Sequence, residues 1–177
     1  MTAIRRFTTA EASPGVLRKI RRLMDDAFDG DFSDDDWEHT IGGQHVVVDE
    51  GDGPVAHAAV VPRVLEIAGR DFRSGYVEGV ATVPARQRAG LASVVMADVG
   101  DIIGRHFELG GLSTDRHRFY ERLGWECWHG PTFARTGSEA TRTQEDDDGV
   151  MVLRFGASAD VDLRAAISCE ARPGDDW

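Results

Sequence analysis

Residues 83–92 (VPARQRAGLA) bring two arginines, a glutamine and a glycine together where an apolar strand pattern gives way to a helical one. The first N–H groups of a helix lack partners within the helix, and the helix dipole adds partial positive charge at that end. Gly90 lets an anion approach the main chain, and Arg86 and Arg88 add full positive charges. The segment therefore predicts a phosphate-binding turn.

Acidic residues gather in three separate parts of the sequence. The chain has 31 acidic against 20 basic residues and a formal net charge of −11, which argues against general binding of nucleic acids. A cationic partner is electrostatically easier, although many proteins are acidic for solubility alone. A polycationic ligand needs anionic acceptors that converge from several segments. The three clusters are residues 31 and 34–36, residues 145–148, and residues 175–176.

Neither the cysteines nor the histidines have the spacing of a metal site. Cys127 and Cys169 lie outside any CxxC pattern, which gives a disulfide or a structural metal little support. No stretch is apolar for long enough to cross a membrane, and residues 1–13 lack the apolar core of a signal peptide. These patterns predict a cytoplasmic protein without a metal. Four histidines are interpreted as surface or satisfied core residues, namely His45, His57, His106 and His117.

Helical signals appear in four places. Ser13 followed by Pro14 predicts the N-cap and first residue of an amphipathic helix that ends at Gly30. Ser33 and Asp36 form a capping-box pattern for a short second helix over residues 37–41. The third and fourth helices are predicted over residues 91–106, and around Phe119, Tyr120 and Leu123 after caps at Ser113, Thr114 and Asp115.

Strand patterns fill most of the remaining chain. Apolar residues bounded by turn signals predict strands at residues 45–49, 55–67, 72–83, 107–112, 125–128 and 150–155, of which the first three form an antiparallel meander. The polar run at residues 137–148 is interpreted as a mobile loop. Because the sequence has no internal repeat and no linker, its length indicates a single domain over residues 1–177.

Two motifs about thirty residues apart resemble the hallmarks of the GNAT acetyltransferases. The first is Gln87-x-x-Gly90-x-Ala92, and the second is FYERLGW at residues 119–125. The resemblance implies an α+β fold whose mixed, mostly antiparallel central sheet is splayed between its fourth and fifth strands and flanked by helices. It also implies that acetyl-CoA inserts its pantetheine arm beside a fourth strand at residues 75–83.

The same resemblance assigns the residues that hold acetyl-CoA. Backbone groups of Val80, Ala81 and Val83 pair with the pantetheine amides, and the Val80 N–H polarises the thioester carbonyl. The turn binds the pyrophosphate through Gln87, Arg88, Ala89, Gly90, Leu91 and Ala92. No metal takes part.

A narrower resemblance covers almost the whole chain and is to the aminoglycoside 2′-N-acetyltransferases, which confer antibiotic resistance. It is carried by six segments, at residues 31–32, 36–40, 75–80, 128–132, 146–149 and 175–177. It implies acetyl transfer to the 2′-amine of an aminoglycoside. The substrate's ammonium and hydroxyl groups are then bound by Asp31, Asp36, Glu78, Ser113, Asp147, Asp175 and the carboxylate of Trp177.

Acetyl transfer needs a neutral amine, whereas aliphatic amines are mostly protonated near neutral pH. Glu78, beside the thioester-binding strand, is the candidate base, and its alternative is an outward strand acid in an ion pair. Tyr120 is the candidate proton donor to the departing thiolate, and its alternative is a packed helix aromatic. Trp177 completes the predicted catalytic set. Because no Ser or Cys lies in a nucleophile-elbow motif, direct attack in a ternary complex is favoured over an acyl-enzyme.

Two other functions remain open from the sequence. One is a GNAT enzyme acting on another cationic amine, such as a polyamine or a cell-envelope amino sugar. The other is a non-catalytic module that binds acyl-CoA or an antibiotic, which would bind tightly without releasing CoA. The resemblance also implies a homodimer, for which the strand at residues 150–155 is the candidate interface.

Overall fold

The computed structural model describes residues 2–177 and resolves into two compact units. The first contains the chain up to Val61 together with Val77–Asp101, and the second contains Pro62–Tyr76 and Ile102–Trp177. Two strands and one helix contribute residues to both units. They are β3 (Pro54–Ile67), β4 (Arg70–Thr82) and α3 (Leu91–His106).

The first unit is a sheet edge covered by a helix. Its strands β1 (Thr2–Thr8) and β2 (Gln44–Glu50) pair antiparallel with each other, and β2 pairs antiparallel with β3. The first helix, α1 (Pro14–Ala27), starts where the Ser13 hydroxyl accepts the Val16 N–H at 3.3 Å. A short α2 (Asp34–His39) follows. The core of the unit joins α1 to the sheet through Ile20, Leu23, Met24, Phe32, Val47 and Ala81.

The second unit is a mixed sheet in the order β6-β9-β5-β4-β3-β10-β7-β8. In this order β4 and β5 pair parallel, as do β7 and β10. The antiparallel pairs are β5 with β9, β6 with β9, β3 with β10 and β7 with β8. The parallel register of β4 and β5 joins Ser74, Gly75 and Tyr76 to residues 109–111. The elements that lie wholly in the second unit are β5 (Leu109–Ser113), α4 (His117–Glu121), β6 (Glu126–Cys127), β7 (Thr132–Thr136), β8 (Glu139–Arg142), β9 (Val150–Arg154) and β10 (Ile167–Glu170).

The predicted α+β class is confirmed, with a mixed sheet whose pairings are mostly antiparallel. The first helix begins at the predicted residue and α3 has the predicted bounds. The Ser33 and Asp36 capping box is also present, although its helix starts at Asp34 rather than Trp37. Assignment of the whole chain to one domain stays a prediction.

Two expectations about local structure were wrong. Residues 137–148 are not a loop throughout, because β8 pairs with β7 and a 3₁₀ turn follows at Gln144–Asp146. The N-cap of the fourth helix is Arg116, while Ser113 belongs to β5 and pairs with Val150. The candidate interface strand, β9, is paired on both sides by β5 and β6, and its role in a dimer stays a prediction.

Candidate functional site

The predicted phosphate-binding turn lies in the first unit and has the expected strand-turn-helix form. After β4, a 3₁₀ turn at Pro84–Arg86 leads to Gly90, whose φ is +80°, and α3 begins at the next residue. The Val94 N–H donates to the Gly90 carbonyl at 3.2 Å, so the N–H groups of the preceding residues form the open end of the helix. No atom lies within 4 Å of the position that a Cβ on Gly90 would take. Backbone conformation, rather than space, therefore requires glycine here.

The two arginines of the turn are in different situations. Arg86 donates to the Glu50 carboxylate, so its charge already has an anionic partner. This differs from the expectation that both arginines serve a phosphate. Arg88 is exposed and has a φ of +64°, a left-handed conformation that a non-glycine residue seldom adopts. Gln87 and Ala89 beside it are exposed as well.

Strand β4 is bent at Gly79, immediately after Glu78. Gly79 has a φ of +56°, and a Cβ at this position would lie 3.0 Å from Thr40 Cγ2. Its carbonyl oxygen lies 2.8 Å from His57 Nδ1. Glu78 and Val80 are half-buried on either side of the bend. The strand is therefore irregular at the point where the thioester-binding groups were predicted.

Both main-chain groups of Val83 already have hydrogen-bond partners within the protein. Its N–H donates to the Val55 carbonyl at 3.0 Å, and its own carbonyl accepts from the Arg86 N–H at 2.9 Å. The predicted pairing of pantetheine with Val83 therefore lacks a main-chain donor. Ala81 is buried in the core of the first unit.

The acids of the first unit also serve its local structure. Asp36 Oδ2 accepts from both the Ser33 N–H and the Ser33 hydroxyl at 2.8 Å, which closes the capping box of α2. Asp34 lies 2.9 Å from Arg21 in an ion pair. Asp31 is exposed. One oxygen of Asp36 is thus already used by the protein.

In the second unit, Asp147 is bound by the protein on both of its oxygens. Oδ1 accepts from the Thr132 N–H at 3.0 Å, the Thr132 hydroxyl at 2.9 Å and Arg142 Nη1 at 2.7 Å. Oδ2 accepts from Arg142 Nη2. The Arg142 guanidinium, assisted by Thr132, lowers the pKa of Asp147 to about 2. Both oxygens of Asp147 therefore already have partners within the protein, and its assignment as a ligand of the substrate ammonium stays a prediction.

Asp146, which was not among the predicted site residues, faces the acids of the C-terminal segment instead. Burial raises its pKa, and the negative charges of Glu145, Asp175 and Asp176 raise it further. A cation bound beside these carboxylates would relieve their mutual repulsion. The signal was present in the sequence as two acidic clusters, but only folding brings the two together.

Trp177 is held at a defined position. Its indole is buried, as predicted, and Nε1 donates to the Thr143 hydroxyl at 3.0 Å. The preceding segment is fixed by Arg63, which donates to the carbonyl oxygens of Glu170 at 2.6 Å and Asp176 at 2.7 Å. The Arg63 guanidinium lies over the Tyr76 ring at 4.8 Å from its centroid. The segment that carries Asp175 is therefore an ordered part of the second unit.

Tyr120 combines features of both interpretations considered for it. Its ring is buried and makes edge contacts with Phe119 and Trp125, with centroids 4.8 and 6.3 Å away. Burial raises the pKa of its hydroxyl to about 12. The phenol therefore keeps its proton at neutral pH. Ser113, at the end of β5, is exposed.

The buried histidines form a hydrogen-bonded pair. His45 Nδ1 lies 2.9 Å from His57 Nε2, and neither residue is exposed. Burial lowers the pKa of His45 to about 4, and burial with the nearby His45 lowers that of His57 to about 3. Both are satisfied core residues, as predicted. Across residues 2–177 no group of His, Cys, Asp and Glu side chains has the arrangement of a metal site.

Comparison with known proteins identifies relatives by sequence and by fold. The family model for the acetyltransferase (GNAT) domain matches residues 8–128. The chain is 43% identical over 173 residues to an aminoglycoside 2′-N-acetyltransferase of Mycolicibacterium fortuitum. The aligned residues cover 96% of this chain and 89% of that protein.

Two solved structures share the fold at low sequence identity. One is the GNAT family N-acetyltransferase YhbS of Escherichia coli in complex with CoA, with a TM-score of 0.68, 17% identity, and coverage of 95% of this chain and 89% of that one. The other is a GNAT family acetyltransferase of Brucella melitensis in complex with acetyl-CoA, with a TM-score of 0.63, 17% identity and 94% coverage of both chains.

Proposed function

Because this chain belongs to the GNAT acetyltransferase family, we propose that it is an aminoglycoside 2′-N-acetyltransferase, which moves an acetyl group from acetyl-CoA to the 2′-amine. The observation that carries the proposal is the 43% identity to an enzyme of that name over 96% of the chain. A role in resistance to these antibiotics follows from that activity.

The acetyl-CoA site belongs to the strand-turn-helix segment of the first unit. Main-chain N–H groups at the start of α3 bind the pyrophosphate, and Arg88 adds a full positive charge. The left-handed conformation of Gly90 supports this role because it opens the main chain to an anion. The other members of the proposed pyrophosphate set are Gln87, Ala89, Leu91 and Ala92, and the thioester and pantetheine are held by Val80 and Ala81.

The proposed ligands of the aminoglycoside are the carboxylates of Asp31, Asp36, Asp175 and Trp177, and Ser113 contributes a hydroxyl. We add Asp146, whose pKa is raised by burial and by the charges of Glu145 and of Asp175 and Asp176 in the C-terminal segment. Asp147 is kept among the ligands, and its pairing with Arg142 and Thr132 also fixes the segment to which Asp146 belongs.

The reaction is a direct attack in which Glu78 and Tyr120 handle the protons. Glu78 removes one proton from the substrate ammonium, and the neutral amine attacks the thioester carbon. The Val80 N–H stabilises the oxyanion that forms. When the C–S bond breaks, Tyr120 gives its proton to the thiolate and regains one from solvent. Of the two protons that leave the ammonium, one is balanced by the CoA thiol and the other is released.

A thiol-release assay with two aminoglycosides that differ only in an amine or a hydroxyl at the 2′ position tests the proposal. We expect CoA to be released with the 2′-amine compound alone. Release with a polyamine or an amino sugar, but with neither aminoglycoside, would identify a GNAT enzyme for another cationic amine. Binding of acetyl-CoA or antibiotic without any release of thiol would indicate a non-catalytic module.

Asp175→Asn is expected to raise the KM for the aminoglycoside by about tenfold, the roughly 1.4 kcal/mol expected for one charge-assisted contact. The KM for acetyl-CoA should stay within about twofold, because the donor is held elsewhere. Steady-state kinetics with each substrate varied in turn measures both values. Asp160→Asn is the matched control, since it removes an exposed acid of the same unit outside the proposed site. Equal effects of the two variants would reduce the role of Asp175 to general electrostatics.

A homodimer forms part of the proposal because the family resemblance implies it, and a cytoplasmic location stays a prediction. Among the helices of residues 2–177, none has the length and apolar character of a membrane span. Sedimentation at several protein concentrations measures the oligomeric state, and a monomer throughout would reject the dimer without affecting the proposed chemistry.

A further inference from the structure

The two buried histidines of the first unit continue a hydrogen-bonded chain that ends at the bend of β4. Thr9 Oγ1 lies 2.8 Å from His45 Nε2, and His45 Nδ1 lies 2.9 Å from His57 Nε2. His57 Nδ1 lies 2.8 Å from the carbonyl oxygen of Gly79. At the other end, the Gly42 N–H donates to Thr9 Oγ1 at 3.0 Å. We call these residues the histidine relay.

The direction of every bond in the relay follows from its last member. A carbonyl oxygen only accepts, so His57 Nδ1 carries a hydrogen. A neutral imidazole has one N–H, so His57 Nε2 accepts, and His45 Nδ1 must donate to it. His45 Nε2 therefore accepts from the Thr9 hydroxyl. Because both rings are fully buried and neutral, one set of tautomers makes every hydrogen bond of the relay.

The carbonyl that receives the last bond shares its peptide group with the Val80 N–H. A trans peptide is planar, and its C=O and N–H point in opposite directions. No cis peptide bond occurs among residues 2–177. Holding the Gly79 oxygen on His57 therefore fixes the direction of the Val80 N–H, which points the opposite way within the same plane. A hydrogen bond to the oxygen also polarises the peptide, which makes its N–H a better donor.

The position needs such support because Gly79 is conformationally free. Its φ of +56° is one of several conformations that glycine adopts at little cost, so the peptide could turn over without a side chain to hold it. A Cβ at this position would also crowd Thr40 and Met24, whose nearest atoms lie 3.0 and 3.3 Å from its place. The relay is not a proton path, because it ends on a carbonyl that cannot take up a proton.

We propose that the histidine relay is a positioning device for catalysis: through His57 it orients and polarises the Val80 N–H that stabilises the oxyanion of acetyl transfer. This rests on the proposed function, which assigns that role to Val80. His57 and His45 do not touch the reacting atoms and act only through the Gly79 peptide. The two histidines, which the sequence presents as ordinary core residues, are then determinants of turnover.

Two replacements of His57 separate positioning from core packing. Asparagine places an amide N–H donor near the Nδ1 position and keeps the bond to Gly79, whereas glutamine reaches toward the Nε2 position and loses it. We expect His57→Gln to lower kcat by about tenfold or more, since one oxyanion donor is worth at least that factor, and His57→Asn to stay within about threefold of wild type. The KM for acetyl-CoA should change little in either variant. Thermal unfolding should show similar stability losses in both.

Equal kcat losses in the glutamine and asparagine variants would overturn the proposal, because packing alone would then explain them. A second measurement does not depend on the variants folding. Nitrogen NMR of the wild-type protein labelled in histidine should show His57 and His45 protonated on Nδ1, and an Nε2–H tautomer of His57 would also overturn the proposal. If the wild-type protein released no thiol with any aminoglycoside, the proposed function would fail instead, while the NMR result would still report on the relay.

Discussion

Glu78→Gln is expected to lower kcat/KM for the aminoglycoside by about 100-fold at about pH 6, the lower end of what a positioned general base contributes. The loss should shrink toward about pH 9, because more of the amine is then neutral without help from the enzyme. Thiol-release rates measured across this range give the profile. A glutamine keeps the size and hydrogen-bonding capacity of the side chain, so the half-buried site next to Gly79 should remain intact.

Tyr120→Phe is expected to change the pH profile in a different way from Glu78→Gln. The ring and its contacts with Phe119 and Trp125 are retained, and only the hydroxyl is lost. Since burial raises the pKa of this phenol to about 12, its proton is present throughout the working range. We therefore expect a loss of kcat that is uniform with pH and little change in substrate binding. A Glu78→Gln profile parallel to that of wild type would remove Glu78 as the base.

Gly90→Asp is expected to weaken acetyl-CoA binding by about 100-fold or more. The substitution places a negative charge against the pyrophosphate and also puts a side chain on a φ of +80°, which together amount to about 3 kcal/mol. Calorimetric titration with acetyl-CoA measures the dissociation constant. Because the position of the missing Cβ is open, the fold should survive.

Two matched variants separate charge from backbone strain in this experiment. Gly90→Ala carries the strain without the charge and should lose about tenfold or less in affinity. Gly100→Asp adds the same charge farther along α3, where the structure also leaves open space, and should leave affinity nearly unchanged. Unaltered binding in a folded Gly90→Asp protein would reject the phosphate-binding assignment of this turn.

Local signals predicted the elements that depend on neighbouring residues. The Ser13 cap with Pro14 determines the start of α1. The start of α3 is determined by Gly90, whose positive φ is easily adopted by glycine. The strands β7 and β10 could not be predicted in this way. β10 has four residues, and its partners β3 and β7 are far from it in sequence, so its extended conformation is stabilised by tertiary pairing rather than by propensity.

The same distinction between local and tertiary features applies to the candidate site. The composition of the turn and the acidic clusters were visible in the sequence, but the partners of individual side chains were not. In the register of β2 and β3, Val47 is opposite His57 and Ala59 is opposite His45, which makes the two histidines diagonal neighbours on one face. Likewise, the β7-β8 hairpin brings Arg142 to Thr132 and so to Asp147. Neither pairing follows from residue type.

The bonds from Arg63 to the C-terminal segment have a consequence for the order of folding. Arg63 and Asp176 are 113 positions apart, and contacts of such separation carry a large loop-closure entropy that is compensated only when much of the intervening chain is ordered. We therefore expect the segment with Asp175 and Trp177 to dock late, onto a sheet that has already formed. The part of the proposed aminoglycoside site that this segment carries would then form in the last step of folding.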